Sequence, residues 1–233
     1  MNERKSKHSV AVTAAEINKY NRRKTLLGFA AISMAVFLGL IYVVSMLYKE
    51  TGSFTISINK YEMTKYGISL SESRELINPS SFLNAHIDAA ITNIAEKDIP
   101  ANVDSVDGEH NGKNYVAYSF YLFNAGDVEF DYEWRITMSN ISNSIDEAIR
   151  LKLYVNGEPT VYAKTASDGS GAEPGTTQFY STDVMALGRV DAYAPGAVTK
   201  FTVVLWLEGT DPDCVDWVIG GKIKIDMAMA IIH

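Results

Sequence analysis

The side chains best able to do chemistry in this chain are carboxylates, and they are grouped in two turns. The first turn, DSVDGEHNG, spans residues 104–112, and the second lies within WLEGTDPDCVD, residues 206–216. Calcium binds about six to eight oxygen ligands from carboxylates, carbonyls and water, and either turn could supply several. The candidate calcium ligands are Asp104, Asp107, Glu109, Glu208, Asp211, Asp213 and Asp216.

Both acidic segments also have a purely structural interpretation. Neither has the ligand spacing of an EF-hand loop, and Asp, Asn and Gly form turns by bonding their own backbone. In the second segment, Asp211-Pro212-Asp213 would end one strand, and Gly220-Gly221 would lead into the last strand, with Cys214 half-buried. We therefore predict a turn there, with calcium as the alternative and no other cofactor.

The remaining reactive side chains form no recognisable catalytic pattern. The four histidines, His8, His86, His110 and His233, are not spaced as metal-ligand pairs, and no H-E-x-x-H motif occurs. Cys214 is the single cysteine, so it cannot form an intramolecular disulfide. It has no histidine nearby in sequence, and no G-x-S-x-G turn occurs. We therefore predict a chain without enzymatic activity.

Charge divides the chain into two parts. Residues 1–24 carry seven Lys/Arg and two acidic residues, a net charge of +5. Residues 50–233 carry 13 Lys/Arg and 26 acidic residues, a net charge of −13. Because an acidic domain repels phosphate, nucleic acid is excluded as a partner.

Between these parts, residues 25–48 contain no charged side chain. As a helix rising about 1.5 Å per residue, this segment would span about 36 Å, enough for a bilayer core of about 30 Å. The basic flank predicts a single-pass cell-membrane protein with a cytoplasmic N-terminus and an extracellular C-terminal domain. Membrane lipid is thus one expected partner, through residues 25–48.

A cleaved signal peptide is the competing interpretation of the same segment. Its apolar region would be about 7–15 residues long and would end at a small-residue cleavage site. This apolar run is longer, and Val44–Tyr48 makes a poor site. An uncleaved signal-anchor is therefore favoured. A surface protein that lacks disulfides also suits a Gram-positive cell better than an animal secretory pathway.

Beyond residue 53 the hydrophobic pattern becomes that of β-strands. Residues 115–123 are apolar on both faces, as in a central strand, whereas residues 128–138 alternate as in a strand with one wet face. Residues 54–60 alternate as well. The inward set of residues 128–138 is Val128, Phe130, Tyr132, Trp134, Ile136 and Met138. In residues 200–208 it is Phe201, Val203, Leu205 and Leu207, and in residues 222–232 it is Ile223, Ile225, Met227, Met229 and Ile231.

Turn and helix signals complete the pattern. Asn156-Gly157, which readily adopts positive φ at both positions, predicts a hairpin between Leu151–Val155 and Thr160–Lys164. The composition of residues 165–177 predicts a loop. Ser81–Ala95 could hold one short helix, and Ile145–Ile149 about one helical turn. Most aromatic residues belong to the predicted core, with Trp206 and Trp217, which flank the acidic turn, as the exceptions.

These patterns predict an all-β chain, an antiparallel jelly-roll-like β-sandwich with a few short helices, preceded by one N-terminal transmembrane helix. The predicted parts are a basic cytoplasmic tail (1–24), the transmembrane helix (25–48), a short linker (49–53) and an extracellular β-sandwich domain (54–233).

Two stretches carry a resemblance to a known family. Gly52-Ser53-Phe54-Thr55-Ile56-Ser57-Ile58 follows the apolar segment, and VVLWLEGTDPDC (203–214) is followed by IGGKIKI (219–225). Both resemble TasA/camelysin-type proteins of Firmicutes, which are jelly-roll sandwich proteins of the cell surface and biofilm matrix. The resemblance covers residues 52–233 and implies self-association, with residues 54–60 as the strand that a neighbouring chain could accept. Family members carry a cleaved signal peptide, whereas this chain has no convincing cleavage site.

The expected function is therefore that of a membrane-anchored, non-enzymatic surface or matrix protein that associates with itself or with other envelope components. Two alternatives stay open. The first is a surface protease, by analogy with camelysin-type proteins, and the second is a calcium- or carbohydrate-dependent binding module. The sequence does not identify a small-molecule ligand.

Overall fold

The computed structural model describes Lys19, Arg22 and residues 25–43, 53–86 and 91–232. The chain divides into two compact units, Met1–Glu50 and Thr51–His233. In the first unit, helix α1 spans Thr25–Val43, and none of its apolar window is buried. Its 19 residues rise about 28 Å and can cross a membrane, as either an anchor or a signal sequence can. Residues 44–52 and most of the tail 1–24 lie outside the described residues.

The described part of the second unit contains twelve β-strands arranged in two sheets. In chain order they are β1 Ser53–Ile58, β2 Ile68–Ser71, β3 Phe82–His86, β4 Gly108–Glu109, β5 Tyr115–Asn124, β6 Phe130–Ser139, β7 Ile149–Val155, β8 Glu158–Ala163, β9 Thr177–Gln178, β10 Val184–Tyr193, β11 Val198–Leu207 and β12 Lys224–Ile232.

Strand order defines a five-stranded sheet, β10-β6-β12-β1-β3, and a seven-stranded sheet, β2-β5-β11-β7-β8-β9, with β4 also paired to β5. Both sheets are mixed, which corrects the antiparallel prediction. β1 runs parallel to β12, and β8 runs parallel to β9. β1 and β12 come from opposite ends of the unit, so no hairpin connection forces them to be antiparallel.

One hydrophobic core lies between the two sheets and confirms the all-β prediction in its coarse form. β6 buries Phe130, Tyr132, Trp134, Ile136 and Met138 and turns its polar set outward, as the alternation predicts. The predicted inward position of Val128 is wrong: its side chain is 56% exposed, because the strand begins only at Phe130.

The hairpin and the helical turn at residues 145–149 are confirmed. β7 and β8 flank Asn156-Gly157, and both turn residues have positive φ, 51° and 89°. Helix α3 spans Ile145–Ala148. Helix α2, Lys60–Tyr66, is an element that the pattern did not predict. The Asn59 side chain caps it by accepting a hydrogen bond from the Tyr61 N–H, and Gly67 ends it in the left-handed conformation. The strand predicted over residues 54–60 therefore ends at Ile58.

The described residues of Ser81–Ala95 do not form the predicted helix, and residues 87–90 lie outside the described part of the chain. Phe82–His86 forms β3, which pairs with β1 along its whole length, and Ala85 is buried opposite Phe54. Downstream, the Ile94 N–H donates to the Leu207 carbonyl, so this segment pairs with the end of β11 rather than with a helical turn. Backbone pairing with a distant strand thus outweighs local helical propensity.

A second, smaller cluster covers the outer face of the seven-stranded sheet. It contains Ala117 from β5, Val204 and Trp206 from β11, and Tyr154 from β7, packed against Ile99 and Val103. Both faces of β11 are therefore buried, and the acidic turn that follows Leu207 emerges beside this outer cluster.

Candidate functional site

The carboxylates of the first acidic turn do not converge on one point. Asp104 lies in the 3-10 helix Val103–Ser105. Asp107 accepts hydrogen bonds from the Tyr121 hydroxyl at 2.8 Å and from Lys200 Nζ at 2.9 Å. Glu109 accepts one from Asn111 Nδ2 at 2.9 Å. Asp107 and Glu109 are thus held by different neighbours.

Neighbouring side chains lower the pKa of Asp107. Burial alone would raise its pKa, but hydrogen bonds and the positive charge from Lys200 outweigh that effect, so the pKa lies below its ordinary value of 3.8. An ionised Asp107 that bonds Lys200 of β11 fastens the turn to the outer face of the sheet. This contact explains the residue without a metal.

The second acidic turn is built around Glu208, directly after β11. Its Oε2 accepts hydrogen bonds from Trp206 Nε1 at 2.9 Å and from the Glu96 N–H at 3.0 Å. Its Oε1 accepts hydrogen bonds from the Thr210 N–H at 3.1 Å and the Thr210 hydroxyl at 2.6 Å. Four donors therefore converge on one carboxylate, which ties the outer cluster to the turn.

Arg150, in β7, is the buried cation of the same region. Its side chain is 4% exposed, and Nη2 contacts the carboxylate of Asp211, whose side chain is 0% exposed. The same nitrogen lies 3.7 Å from Glu173 Oε2. A buried ion pair of this kind positions the turn on β7, because either partner alone would leave an uncompensated charge.

Of the residues that the structure describes, Glu173, Asp211 and Asp213 form the group whose carboxylate oxygens could share a metal, all within 4.8 Å of one another. Asp213 accepts hydrogen bonds from the Ser167 N–H and hydroxyl. The guanidinium of Arg150 already gives Asp211 and Glu173 the positive charge that a cation would supply. The calcium interpretation stays a prediction for this group.

These residues line a cleft of about 660 Å³, which we call the acidic cleft. Glu208 and Arg150 border it at the end of the outer cluster, and Glu173 and Asp213 border it from loop 165–177 and the acidic turn. Burial and the negative charge of Asp211 raise the pKa of Glu173 above its ordinary 4.5, against the effect of Arg150. For Glu208, burial acts in the same direction, but the hydrogen bonds from Thr210 and Trp206 outweigh it and lower the pKa below 4.5.

Sequence reasoning found part of this site. Asp211, Asp213 and Glu208 were predicted, and all three border the acidic cleft. Asp216 is instead exposed at the start of the 3-10 helix Asp216–Val218 and is not among the residues that line the cleft. The half-burial of Cys214 is confirmed. Arg150 and Glu173 were missed. The one signal for Arg150 is its charge in the largely apolar strand IRLKLYV, which also contains Lys152. Glu173 has no such signal, because it lies in a loop without periodicity.

The opposite pKa directions of Glu173 and Glu208 predict opposite effects of removing each charge. Glu208→Gln should destabilise the unit by about 1–3 kcal/mol at pH 7, because an amide group would face two donors that lose their acceptor. Ionised Glu208 stabilises the fold above its unfolded pKa near 4.5, and this contribution disappears as pH falls through the lower folded pKa. The stability difference between Glu208→Gln and wild type should therefore shrink as the pH falls through the same range.

Glu173→Gln is the matched control for that prediction. Ionisation of Glu173 costs stability above its raised folded pKa, and the cost vanishes below about pH 4.5. The Gln variant should therefore be more stable than wild type at pH 7 and equal to it in acid. Thermal unfolding of the full chain between pH 3 and 8 measures both curves. If both variants were more stable than wild type at pH 7, or both less stable, the assigned pKa directions of Glu173 and Glu208 would be contradicted.

No protein-family model matches the chain, and no curated protein matches it. Among solved structures, it is similar to a β-glucosidase from Kluyveromyces marxianus in complex with glucose, with a TM-score of 0.25 and 11% identity over 69% of this chain. A Se-Met labelled form of a β-glucosidase from the same organism gives a TM-score of 0.24 and 9% identity, again over 69% of this chain. The match spans 15% and 16% of those two chains. Similarity at this level carries no argument about function.

Proposed function

We propose that the chain is a single-pass surface protein of a Gram-positive cell. An uncleaved helix over residues 25–48 would anchor it, and its acidic β-sandwich would lie outside the membrane. The observation that carries this proposal is the order of the parts: a basic tail, an apolar helix long enough to span a bilayer, and a β-sheet unit with a net negative charge. Basic residues beside the helix favour the cytoplasmic side for the N-terminus.

The jelly-roll topology and the relation to TasA/camelysin-type proteins belong to the same proposal. They rest on the resemblance of residues 52–58 and 203–225, and they agree with a two-sheet core whose last strand, β12, pairs with the first, β1. In this proposal the sandwich is non-enzymatic and acts by association, either with itself or with other envelope components.

Self-association through residues 54–60 would have a definite structural cost. β1 is an interior strand, paired with β12 on one side and β3 on the other. Phe54 and Ile56 are fully buried in the core. Exchange between chains therefore requires β1 to leave both neighbours, and a second chain would have to offer the same gap between its own β12 and β3.

The proposal predicts that the protein in the membrane fraction keeps its N-terminus. Intact-mass measurement should give the full 25.7 kDa chain, and peptides from residues 1–24 should survive protease treatment of intact cells while those of residues 54–233 are lost. A product that begins near residue 50 would show that the apolar segment is a signal peptide. Protection of residues 54–233 in intact cells would show the opposite orientation.

Self-association of the protein can be tested in the same cells. Cross-linking followed by electron microscopy of the surface should show oligomers or fibres if β1 passes between chains. Hydrolysis of casein by the purified full chain would instead support the surface-protease alternative.

A further inference from the structure

The most exposed large apolar side chains of the described second unit are Ile219, Trp217 and Tyr180, with 73%, 70% and 70% of their surface in solvent. Trp217 and Ile219 lie in the connection between β11 and β12, together with Val215, which is 37% exposed. Exposed apolar side chains that lie close together in a chain make this turn a candidate interaction site. We call Val215, Trp217 and Ile219 the Trp217 tip.

Strand register places the Trp217 tip at a definite end of the five-stranded sheet. Ser142 N donates to the Lys222 carbonyl at 3.0 Å, so the tip lies just before the start of β12. β1 runs parallel to β12, with Phe54 opposite Ile225. Both strands therefore begin at the same end. Tyr180 lies there as well, because β10 begins with Val184 opposite Thr137 near the end of β6.

That end is also where the chain arrives from the membrane segment. Nine residues, 44–52, separate Val43 of α1 from Ser53 of β1. Even fully extended, they reach only about 33 Å, at roughly 3.3–3.6 Å per residue. If the membrane span runs to Tyr48, the free tether shortens to four residues, 49–52. At most about 33 Å of chain therefore separates this end of the sandwich from the end of α1, so a bilayer spanned by α1 lies within reach of the Trp217 tip.

Hydrogen bonds to the backbone hold the Trp217 tip in its turn, and its exposed side chains project from that turn. Asn143 Nδ2 donates to the Ile219 carbonyl at 2.9 Å. The N–H groups of Val218, Ile219 and Gly221 donate to carbonyls within the same turn. Insertion of Trp217 and Ile219 into a lipid interface therefore would not strip these backbone groups of their partners. A Trp ring, with an apolar body and one N–H, suits the boundary between lipid head groups and acyl chains.

Charge around the tip favours contact by apolar insertion rather than attraction to anionic lipid. Along the chain, Asp213 precedes the tip, Asp216 lies within it, and Lys222 and Lys224 follow it. The two pairs of opposite sign cancel, so no basic patch surrounds the ring. The opposite end of the sandwich also carries exposed apolar side chains, Val128 and Phe82 among them. That end is a sheet length away from the tether.

We propose that the Trp217 tip rests in the interface of the bilayer that anchors the chain, and so sets the orientation of the sandwich on the cell surface. The contact rests on the proposed membrane anchorage, since a released sandwich would have no lipid surface held against this end. The occupant is the lipid itself. A second copy of the chain or another surface protein would cover the ring without bringing it near acyl chains.

The test uses the full chain in phosphatidylcholine vesicles, some of whose acyl chains carry bromine near the head group. Trp134 and Trp206 are 7% and 2% exposed, so Trp217 is the accessible tryptophan, and the W217F variant supplies the background. We expect brominated lipid to quench most of the Trp217 emission and acrylamide to lose most of its access to the ring. V128W, introduced into the W217F variant, places a matched reporter at the opposite end and should show the reverse.

Three results would overturn the contact, and they can be told apart. Retention of the chain in the vesicles after alkaline extraction, with Trp217 still open to acrylamide, would reject the contact and leave the anchor standing. Shielding from acrylamide without quenching by brominated lipid would mean that protein covers the ring. Release of the chain by alkaline extraction would reject the anchor and, with it, the contact.

Discussion

Replacement of Trp134 by Ala is expected to destabilise the second unit by about 3–5 kcal/mol, the usual range for a large aromatic residue removed from a packed core. Trp134 lies in the middle of β6 and is 7% exposed. Its ring meets that of Phe201, from the opposite sheet, edge to face at 6.1 Å between centroids. The same indole covers Gly188 of β10, where an added Cβ would lie 2.4 Å from a ring atom.

Thermal unfolding of the full chain in detergent, followed by circular dichroism, measures this loss. For a domain of this size, about 1 kcal/mol corresponds to a shift in melting temperature of about 2–4 °C, so the expected fall is roughly 6–20 °C. Trp217→Ala removes the same side chain from an exposed position and should change stability by less than about 0.5 kcal/mol. A loss below about 1 kcal/mol for Trp134→Ala would mean that this face of β6 is not core.

Gly188→Ala sharpens the interpretation of that loss. Alone, it should destabilise by about 1–3 kcal/mol, because the new methyl group overpacks against the indole. In the Trp134→Ala background the methyl group would enter vacated space, so the two costs should not add. Additive costs would show that Gly188 and Trp134 do not contact each other.

Sequence periodicity predicted the strands of this fold better than their partners. The side chains of β6 and β12 alternate cleanly because one face of each packs into the core and the other meets water. Each strand could therefore be assigned an inward face from its own residues. The parallel pairing of β1 with β12 joins residues about 170 positions apart, and no local pattern encodes that contact.

Short elements were predicted less well for a related reason. β3, only five residues long, shows no clear alternation and is a strand because it pairs with β1. Helix α2 is likewise brief, although its signals were present, with Asn59 before it and Gly67 after it. An Asn and a Gly indicate such a helix only when both are considered at the spacing of its two ends, since each residue is also common in turns.

The candidate site shows the same limit. The acidic residues of the second turn are conspicuous in the sequence, and Asp211 and Asp213 do meet in the acidic cleft. Arg150, the cation that pairs with Asp211, comes from β7, 61 positions before it, and Glu173 comes from a different loop. A carboxylate-rich turn therefore cannot be interpreted as a metal site until the strand beneath it is known, because a buried arginine supplies the same positive charge.

Arg150→Met is expected to cost about 3–5 kcal/mol at neutral pH, which is the usual cost of removing one partner of a buried ion pair. Methionine fills much of the volume of the arginine stem but leaves Asp211 and Glu173 facing each other without a cation. The cost should decrease in acid, because protonation of Glu173, whose pKa lies above its ordinary value, removes one of the two facing negative charges. Asp211→Asn added to Arg150→Met should restore much of the loss, since the buried charge is then gone.

Lys152→Met is the matched control, because Lys152 lies two residues further along β7 and also forms an ion pair. Its Nζ lies 2.9 Å from Glu96 Oε1, with side chains 21% and 44% exposed. Solvent screens such a pair, so its loss should cost no more than about 1 kcal/mol. Equal losses for the two variants would show that burial does not distinguish the Arg150 ion pair from the Lys152 ion pair.

Calcium titration separates the two interpretations of the acidic cleft. The wild-type melting temperature should not respond, because the guanidinium of Arg150 already supplies positive charge to Asp211 and Glu173. A rise with calcium would mean that the carboxylates still admit a metal beside Arg150, and the calcium interpretation would then hold.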